Sequence, residues 1–275
     1  IKLYGGKIDD FENGMFEYFK DKIADKEETI IEAIEVFEKL RLLQNILQEW
    51  YNNTNIYNYL GLLFKGCGLK QKEEKLIELI TEYTANKNAF DQYLKKEYIK
   101  QILEETSKAD FIKSILEDKD VYHNKYTIVA RQLLRMNVMR TNKQNQKFDF
   151  MLYEEQSYNQ PADFEKGNKR SLEHIKPQKY KNVTKLSPRE LERLEKLTNT
   201  VGNLVLVPSG LNSKLSNESF HQKKKIVFES INTESKNYGL WLHTLEIFGS
   251  HSDWLRKEIE NNKEVFENEF NTFFN

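Results

Sequence analysis

Apolar residues recur at helical spacing through the first half of the chain. One such stripe consists of Val36, Leu40, Leu43, Leu47 and Trp50, at intervals of three and four. The same spacing returns in KEEKLIELITEYT (72–84), AFDQYLKKEYIKQILEET (89–106) and YTIVARQLLRMNVM (126–139). This periodicity predicts amphipathic helices. We therefore expect residues 1–150 to form a helical region, with the stripe packed inside it.

The pattern changes near residue 141. FDFMLY (148–153) alternates apolar and polar positions as a strand does, and NQPADFEKGNK (159–169) is rich in loop-forming residues. We place a domain boundary here. The prediction is a helical region, 1–150, followed by a second domain, 151–275.

The second domain reads as strand, inserted helix, strand and helix. SLEHI (171–175) and NLVLV (203–207) are short β-prone runs, and Pro208 closes the second one. Between them, Ser187, Pro188 and Glu190 form a capping box that should begin a helix. A short helix carrying Leu211, Asn212 and Leu215 follows, then a longer one from about Asn217. The fold class predicted is α+β, mostly α-helical.

Charge is distributed unevenly along the chain. Fourteen Lys and Arg but only seven Asp and Glu lie between Glu165 and Ser230, a balance of +7. Because the net charge is −1, the remainder of the chain carries −8. A basic segment on an acidic body indicates an anionic ligand for that segment. The alternative is an ordinary solvated helical surface.

Composition excludes several classes of protein. Seventeen Phe and fourteen Tyr within a 39% hydrophobic chain argue against disorder. No apolar run approaches the roughly 18 residues of a membrane span. The single Cys67 excludes an internal disulfide and a zinc cage made of thiolates. We expect a cytoplasmic protein with no membrane partner.

Four polar residues could meet if the two strands pair and a helix packs across them: Glu173, His174, Asn203 and Asn212. An imidazole can accept a proton from water near neutral pH. Carboxylate and amide oxygens suit magnesium, which keeps several waters and binds substrate phosphates. Taken singly, each residue has a plainer interpretation. The histidine could be structural, the glutamate a cap or solvated, and the asparagines turn residues.

Three sequence blocks in a fixed order resemble a known family. The blocks are Glu173-His174-Ile175-Lys176-Pro177-Gln178, then Gly202-Asn203-Leu204-Val205-Leu206, then Asn212 to Phe220 followed by Lys223. Together they resemble the HNH (ββα-metal, His-Me finger) nuclease module. More narrowly, they resemble the C-terminal nuclease domain of GmrSD-type, modification-dependent (type IV) restriction endonucleases. The resemblance covers about residues 125–275 and is weaker over the N-terminal helices.

The resemblance implies a role for each matched residue. His174 would be the general base, and Asn203 would tether the loop and orient the histidine. Glu173 and Asn212 would bind Mg²⁺, with Mn²⁺ as the alternative; Asn212 stands where the family pattern often has histidine. His221 lies nearby but matches no motif position, and it is the alternative metal ligand. The residues predicted to contact nucleic acid are Lys176, Lys179, Lys214, Lys223 and Lys224.

The function expected is metal-dependent hydrolysis of double-stranded DNA, foreign or modified, within a bacterial anti-phage restriction system. In this family a nucleotide-binding domain usually precedes the nuclease. The chain opens on Ile1 and contains no phosphate-binding loop, so we expect a separate domain or subunit to supply that function. Two alternatives stay open: a non-catalytic helical module with a degenerate HNH fold that binds DNA or a partner, and a toxin nuclease that cleaves RNA. The helical region is expected to be dispensable for phosphodiester chemistry.

Overall fold

The computed structural model describes residues 27–66, 72–151, 153, 171–179, 187–232 and 241–274. The predicted helices of the first half are confirmed there; residues 1–26 and Cys67 lie outside the described residues. The helices before the sheet are α1 (Glu27–Asn52), α2 (Thr54–Gly61), α3 (Lys72–Ala85), α4 (Phe90–Leu103), α5 (Lys108–Leu116), α6 (Val121–Asn124) and α7 (Tyr126–Lys143). A π-helix, Leu62–Gly66, continues α2, and a 3-10 turn, Lys87–Ala89, precedes α4.

The apolar stripe of α1 is buried only at its C-terminal end. Trp50 is buried and stacks on Phe90 with ring centroids 5.2 Å apart. Leu40 and Leu47 are 41% and 48% exposed. The expectation that the whole stripe packs inside is therefore wrong. A helix of 26 residues is about 39 Å long, and among its described side chains the buried ones, Ile46 and Trp50, lie near its C-terminal end.

FDFMLY does not form the strand that its alternation suggested. Phe148 and Asp149 have no regular secondary structure, and Phe150 and Met151 are helical. The backbone amide of Phe148 donates to the side-chain oxygen of Asn58 at 2.8 Å instead of to a neighbouring strand. The side chains of Phe148, Phe150 and Tyr153 are still buried, whereas Met151 is 70% exposed. Alternation here marks side chains that anchor an irregular segment to the core.

The second half of the chain confirms the predicted order of elements. After β1 (Ser171–His174) come α8 (Pro188–Glu195), a 3-10 turn (Val201–Asn203), β2 (Leu204–Val207), α9 (Ser209–Leu215), α10 (Phe220–Asn232), α11 (Leu242–Ser250) and α12 (Arg256–Phe274). The capping box of Ser187 and Glu190 is present, with Pro188 in the first turn of α8. No described helix combines the length and apolar character needed to cross a membrane.

The two strands form an antiparallel sheet buried on both faces. Ser171 pairs with Val207, and His174 pairs with Leu204. Successive side chains of a strand point to opposite faces. Accordingly, one face sends Leu172, Leu204 and Leu206 into the larger core of the protein. The other face sends Val205 and Val207 into a smaller core that also contains residues of α9, α10 and α11. Burial on both sides explains why NLVLV lacks polar alternation.

Helix α12 packs against the larger core and against the 3-10 turn that precedes β2. Its aromatic residues are Phe266, Phe270, Phe273 and Phe274. A Cβ atom at Gly202 would lie 2.2 Å from the carbonyl oxygen of Ile259, so only glycine permits this approach. The Asn262 amide donates to the Gly202 carbonyl at 2.9 Å. The larger core takes residues from both sides of position 150. The predicted boundary stays a prediction, but the two parts share one interior.

Candidate active site

Strand β1 presents its acid and its histidine to different surroundings. Glu173 lies opposite Val205 and faces the smaller core, where α10 carries Lys223. His174 lies opposite Leu204 and faces the ring of Tyr122, 4.3 Å away between centroids. The pair is therefore adjacent in sequence but divided by the plane of the sheet. Both side chains are buried.

The imidazole of His174 is fixed by the segment that precedes β2. Its Nε2 lies 3.0 Å from Oδ1 of Asn199, and the Gln178 amide donates to the same oxygen at 3.2 Å. The Gln178 amide nitrogen also lies 3.4 Å from Nε2 of His174, but the closer partner, the Asn199 oxygen, can only accept; we therefore assign the proton of the neutral ring to Nε2, which donates to Asn199. The assignment leaves Nδ1 of His174 with a lone pair.

Burial keeps this ring neutral. It lowers the pKa of His174 to about 4; the hydrogen bond that the ring donates to Asn199 raises that pKa, and the charge of Lys223 lowers it further. A neutral imidazole is the form that can accept a proton. His174 is therefore in the protonation state of a general base throughout the physiological range.

Glu173 forms a buried ion pair with Lys223. The ammonium group of Lys223 contacts Oε1 of Glu173 and donates to the main-chain carbonyl of His174 at 2.6 Å. Burial raises the pKa of Glu173 to about 7, although Lys223 lowers it. Burial also lowers the pKa of Lys223, and Glu173 opposes that change. Each partner thus depends on the other to keep its charge.

Asn203 joins the two segments that flank the sheet. Its side-chain oxygen accepts from the Lys176 amide at 2.8 Å. Its side-chain nitrogen donates to the carbonyls of Lys176 and Thr198, at 3.0 and 2.8 Å. Asn203 therefore holds the turn after β1, whereas the amide beside the imidazole belongs to Asn199. A catalytic role for Asn203 stays a prediction that would operate through this turn.

Asn212 and the predicted lysines occupy varied positions. Asn212 is half-buried on α9, which packs against β1; among the described residues, no hydrogen bond joins its amide to Glu173 or His174. Exposed positions are occupied by Lys179 and Lys214. Lys224 donates to the carbonyl of His251 at 2.7 Å. His221 is exposed.

Two of the predicted nucleic-acid contacts need correction in position. Lys176 and Lys223 are buried, not surface cations. Lys223 is held by the charge of Glu173, while Asp253 and Glu258 lie near enough to raise the pKa of Lys176, which burial lowers. Contact with phosphate by either residue would require its ammonium group to leave this environment.

The atoms of the candidate site that could bind a metal are oxygens. They are the Glu173 carboxylate, the His174 carbonyl and, from α9, the Asn212 amide. The Lys223 ammonium shows that the space between the first two accommodates a cation. Within the described ranges, no group of three or more His, Cys, Asp and Glu side chains could hold a metal. Magnesium takes few protein oxygens and completes its shell with water and phosphate, so a magnesium site at these oxygens stays a prediction.

Residues from the helices before the sheet contribute directly to this site. The Tyr126 hydroxyl accepts from the backbone amide of Leu172 at 2.9 Å. The backbone amide of Tyr122 donates to the carbonyl of Asn199 at 3.2 Å, while its ring packs on His174. Tyr122 and Tyr126 therefore contact β1 and the segment before β2, whereas the dispensability of the helical region for the chemistry stays a prediction.

The sequence model of one protein family matches this part of the chain. Its description is GmrSD restriction endonucleases, C-terminal domain, and the match spans residues 105–267, more than half of the chain. The chain belongs to this family. The predicted relationship is confirmed, and the matched region includes α6 and α7, whose Tyr122 and Tyr126 contact β1. Neither a curated protein nor a solved structure matches the chain.

Sequence reasoning missed three features of the site: the place of Asn199, the part played by Gln178 and the burial of Lys223. For Lys223 a signal existed. Phe220, Lys223, Val227 and Ser230 follow one another at helical spacing, and all are buried. For Asn199 there was none, because TNT (198–200) resembles many other asparagine-containing turns.

Proposed function

We propose that this GmrSD C-terminal domain is a DNA endonuclease of the HNH type, with His174 as its general base. The observation that carries the proposal is the neutral, buried imidazole of His174, held by Asn199 and next in sequence to Glu173. The strand–strand–helix order of β1, β2 and α9 supports the HNH assignment. Membership of a restriction endonuclease family supports DNA as the substrate.

The chemistry is hydrolysis of a phosphodiester. Nδ1 of His174 accepts a proton from a water molecule as the oxygen of that water bonds to phosphorus and the opposite P–O bond breaks. Asn199 then accepts a hydrogen bond from Nε2 of the imidazolium, which orients the ring and stabilises its charge. Asn203 holds the turn that follows the strand.

Glu173 and Asn212 would hold a divalent cation, Mg²⁺ or alternatively Mn²⁺. When bound, this cation would stabilise negative charge on the phosphate and on the leaving oxygen. The exposed Lys179 and Lys214 would contact the phosphate backbone, which fixes position without reading sequence. The substrate proposed is foreign or modified double-stranded DNA, cleaved in defence against phage together with a nucleotide-binding domain or subunit.

The test compares substrates, metals and one matched pair of histidine variants. Purified protein is incubated with plasmid, modified phage DNA and RNA, in Mg²⁺, Mn²⁺ or EDTA. We expect DNA cleavage that EDTA abolishes. His174→Ala should lower the rate by about 10²–10⁴-fold, the usual loss for a general base. His221→Ala, at an exposed position on α10, should not.

Each competing function predicts a different result in the same assay. Cleavage of RNA with intact DNA would favour a toxin nuclease. DNA binding without cleavage under any metal would favour a non-catalytic module. A His174→Ala protein that cleaves at the parental rate would remove His174 from the mechanism.

A further inference from the structure

Lys223 is buried in a way that its neighbours are not. Its side chain is 0% exposed and contacts Glu173, whereas the Lys225 side chain is 63% exposed, with Glu229 at 3.7 Å. Lysine is almost never fully buried without a charged partner. Phe220 and Val227, at helical spacing on either side, are buried in the same smaller core. Lys223 therefore lies on the buried, apolar face of α10. Its side chain extends from there to Glu173 and the carbonyl of His174 on β1.

The ammonium group contacts the carboxylate oxygen that a metal would need. It bridges Oε1 of Glu173 and the carbonyl oxygen of His174. A divalent cation on Glu173 would place three positive charges around one buried carboxylate. Like charges at such distances repel strongly where water is excluded. Lys223 and a metal therefore compete for Glu173 unless further negative charge arrives.

The substrate supplies that charge. A phosphodiester that is bound to such a cation and attacked by the water beside His174 would bring negative charge close to Glu173 and to the carbonyl to which Lys223 donates. The lysine side chain has a flexible four-carbon stem and three rotatable donors. It can therefore exchange a carboxylate for a phosphate oxygen while α10 stays in place.

We infer that Lys223 is a displaceable phosphate ligand, which stays on Glu173 in the metal-free protein and moves to the substrate phosphate when a divalent cation takes Glu173. The inference rests on the proposed function, because it takes Glu173 as a metal ligand. It adds that metal and DNA bind cooperatively. Each removes a charge conflict that the other creates, and such coupling is reciprocal.

Amine labelling of the native chain tests the movement directly. An acylating reagent is applied in EDTA, in Mg²⁺, and in Mg²⁺ with a phosphorothioate duplex that resists hydrolysis. Mass spectrometry measures the extent of acylation at Lys223 and compares it with that at Lys225 on the same helix. We expect Lys223 to be protected in EDTA, labelled in Mg²⁺ and protected again with the duplex, while Lys225 is labelled in EDTA and in Mg²⁺ alone.

Mn²⁺ binding measured by calorimetry, with and without the same duplex, provides the second test. The parent should bind Mn²⁺ about tenfold more tightly when the duplex is present, a typical coupling. Lys223→Met, which keeps the stem and removes the charge, should lose that difference. Lys225→Met should keep it. Circular dichroism checks that both variants are folded.

The outcomes separate the inference from the function on which it rests. Continued protection of Lys223 while calorimetry shows bound Mg²⁺ would overturn the inference and make the ion pair permanent. Failure to bind any divalent cation would overturn both the inference and the metal requirement. Mg²⁺-dependent labelling in a protein that cleaves no nucleic acid would leave the inference standing and remove the nuclease.

Discussion

The larger core on the Leu172 side of the sheet combines aliphatic residues with many aromatic rings, whereas the smaller core on the Glu173 side encloses an ion pair. Phe270 and Phe273 even cover the buried guanidinium of Arg135, which lies 4.4 Å from the centroid of the Phe273 ring. Each aromatic ring in a core contributes its own packing energy, so the loss of one ring leaves the contacts among the other rings in place. A buried polar group loses its compensation as soon as one partner leaves. The two regions should therefore respond differently to substitution.

Phe270→Ala should give the largest loss of stability. Phe270 is fully buried and contacts the rings of Phe111, Phe266 and Phe274. We expect the free energy of unfolding to fall by about 3–5 kcal/mol, measured by urea denaturation. Cleavage per folded molecule should not change. Phe37→Ala, at a position 66% exposed on α1, is the control and should change neither quantity.

A small change in the free energy of unfolding of Phe270→Ala would contradict the expected difference between the two cores. A loss below about 1 kcal/mol would mean that the larger core is loosely packed and that its stability comes from elsewhere.

Asn203→Ala should cost less stability but should impair turnover. It leaves the amide of Lys176 and the carbonyls of Lys176 and Thr198 without their partner. We expect about 1–3 kcal/mol of destabilisation. The turn after β1 loosens, so the cleavage rate should fall even at saturating Mg²⁺.

Asn212→Ala is the matched comparison for Asn203→Ala. Asn212 is half-buried, so its loss should hardly affect unfolding and should instead raise the Mg²⁺ concentration needed for cleavage. If Asn203→Ala shifted only the Mg²⁺ requirement, its assignment as a positioning residue would be wrong.

Asn199→Ala removes the oxygen that accepts from both His174 and Gln178, and its effect on cleavage should arise at His174. The Nε2 proton loses its acceptor, and we expect a fall in cleavage rate of about 10–100-fold, the usual range for a residue that orients another. The hydrogen bond to Asn199 raises the pKa of His174, so its removal should move that pKa further down, as followed by NMR. An unchanged histidine titration would show that Asn199 does not hold the ring.

His243→Leu should have the smallest effect at neutral pH, and its effect should grow in acid. Burial, followed by the charge of Arg140, lowers the pKa of His243 to about 3. The unfolded chain takes up that proton near pH 6.5. Stability from the neutral ring is therefore complete above pH 6.5 and is lost as the pH falls towards 3, by roughly 1 kcal/mol per pH unit.

The candidate site contributes little to this acid sensitivity, since its two groups oppose each other. The lowered pKa of His174 makes stability fall as the pH drops from 6.5 to about 4. The raised pKa of Glu173 makes stability rise as the pH drops from 7 to about 4.5. His243→Leu should thus flatten the acid limb of stability between pH 4.5 and 6.5. A slope equal to that of the parent would show that His243 is protonated in the folded protein.

Short sequence patterns predicted the helices and strands well, because the interactions that form these elements are between residues close in sequence. The capping box of Ser187 and Glu190 and the β-prone run NLVLV depend on neighbouring residues and were correctly placed. The exposed stripe of α1 was mispredicted because helical periodicity reveals an apolar face but not its partner. FDFMLY was mispredicted because the deciding hydrogen bond comes from Asn58, far away in sequence.

In the candidate site too, features set by short sequence patterns were predicted, and features set by tertiary packing were not. Glu173, His174 and Asn203 were singled out because their blocks carry a recognisable order, and the structure places them around one short sheet. The lysines 223–225 look alike in sequence, yet one is buried on Glu173 and another is largely exposed. Their difference depends on which face of α10 meets the smaller core, and tertiary packing decides that.

Burial of the sheet on both faces has a consequence for the order of folding. Residues 175–203 lie between the paired ends of β1 and β2, so closing the sheet costs loop entropy before any contact is gained. Neither face is covered until its own core has assembled, and the strands are only four residues long. Pairing over such a separation is slow compared with helix formation. The strand that carries Glu173 and His174 should therefore be among the last parts to lock, and a partly folded chain would lack an assembled catalytic pair.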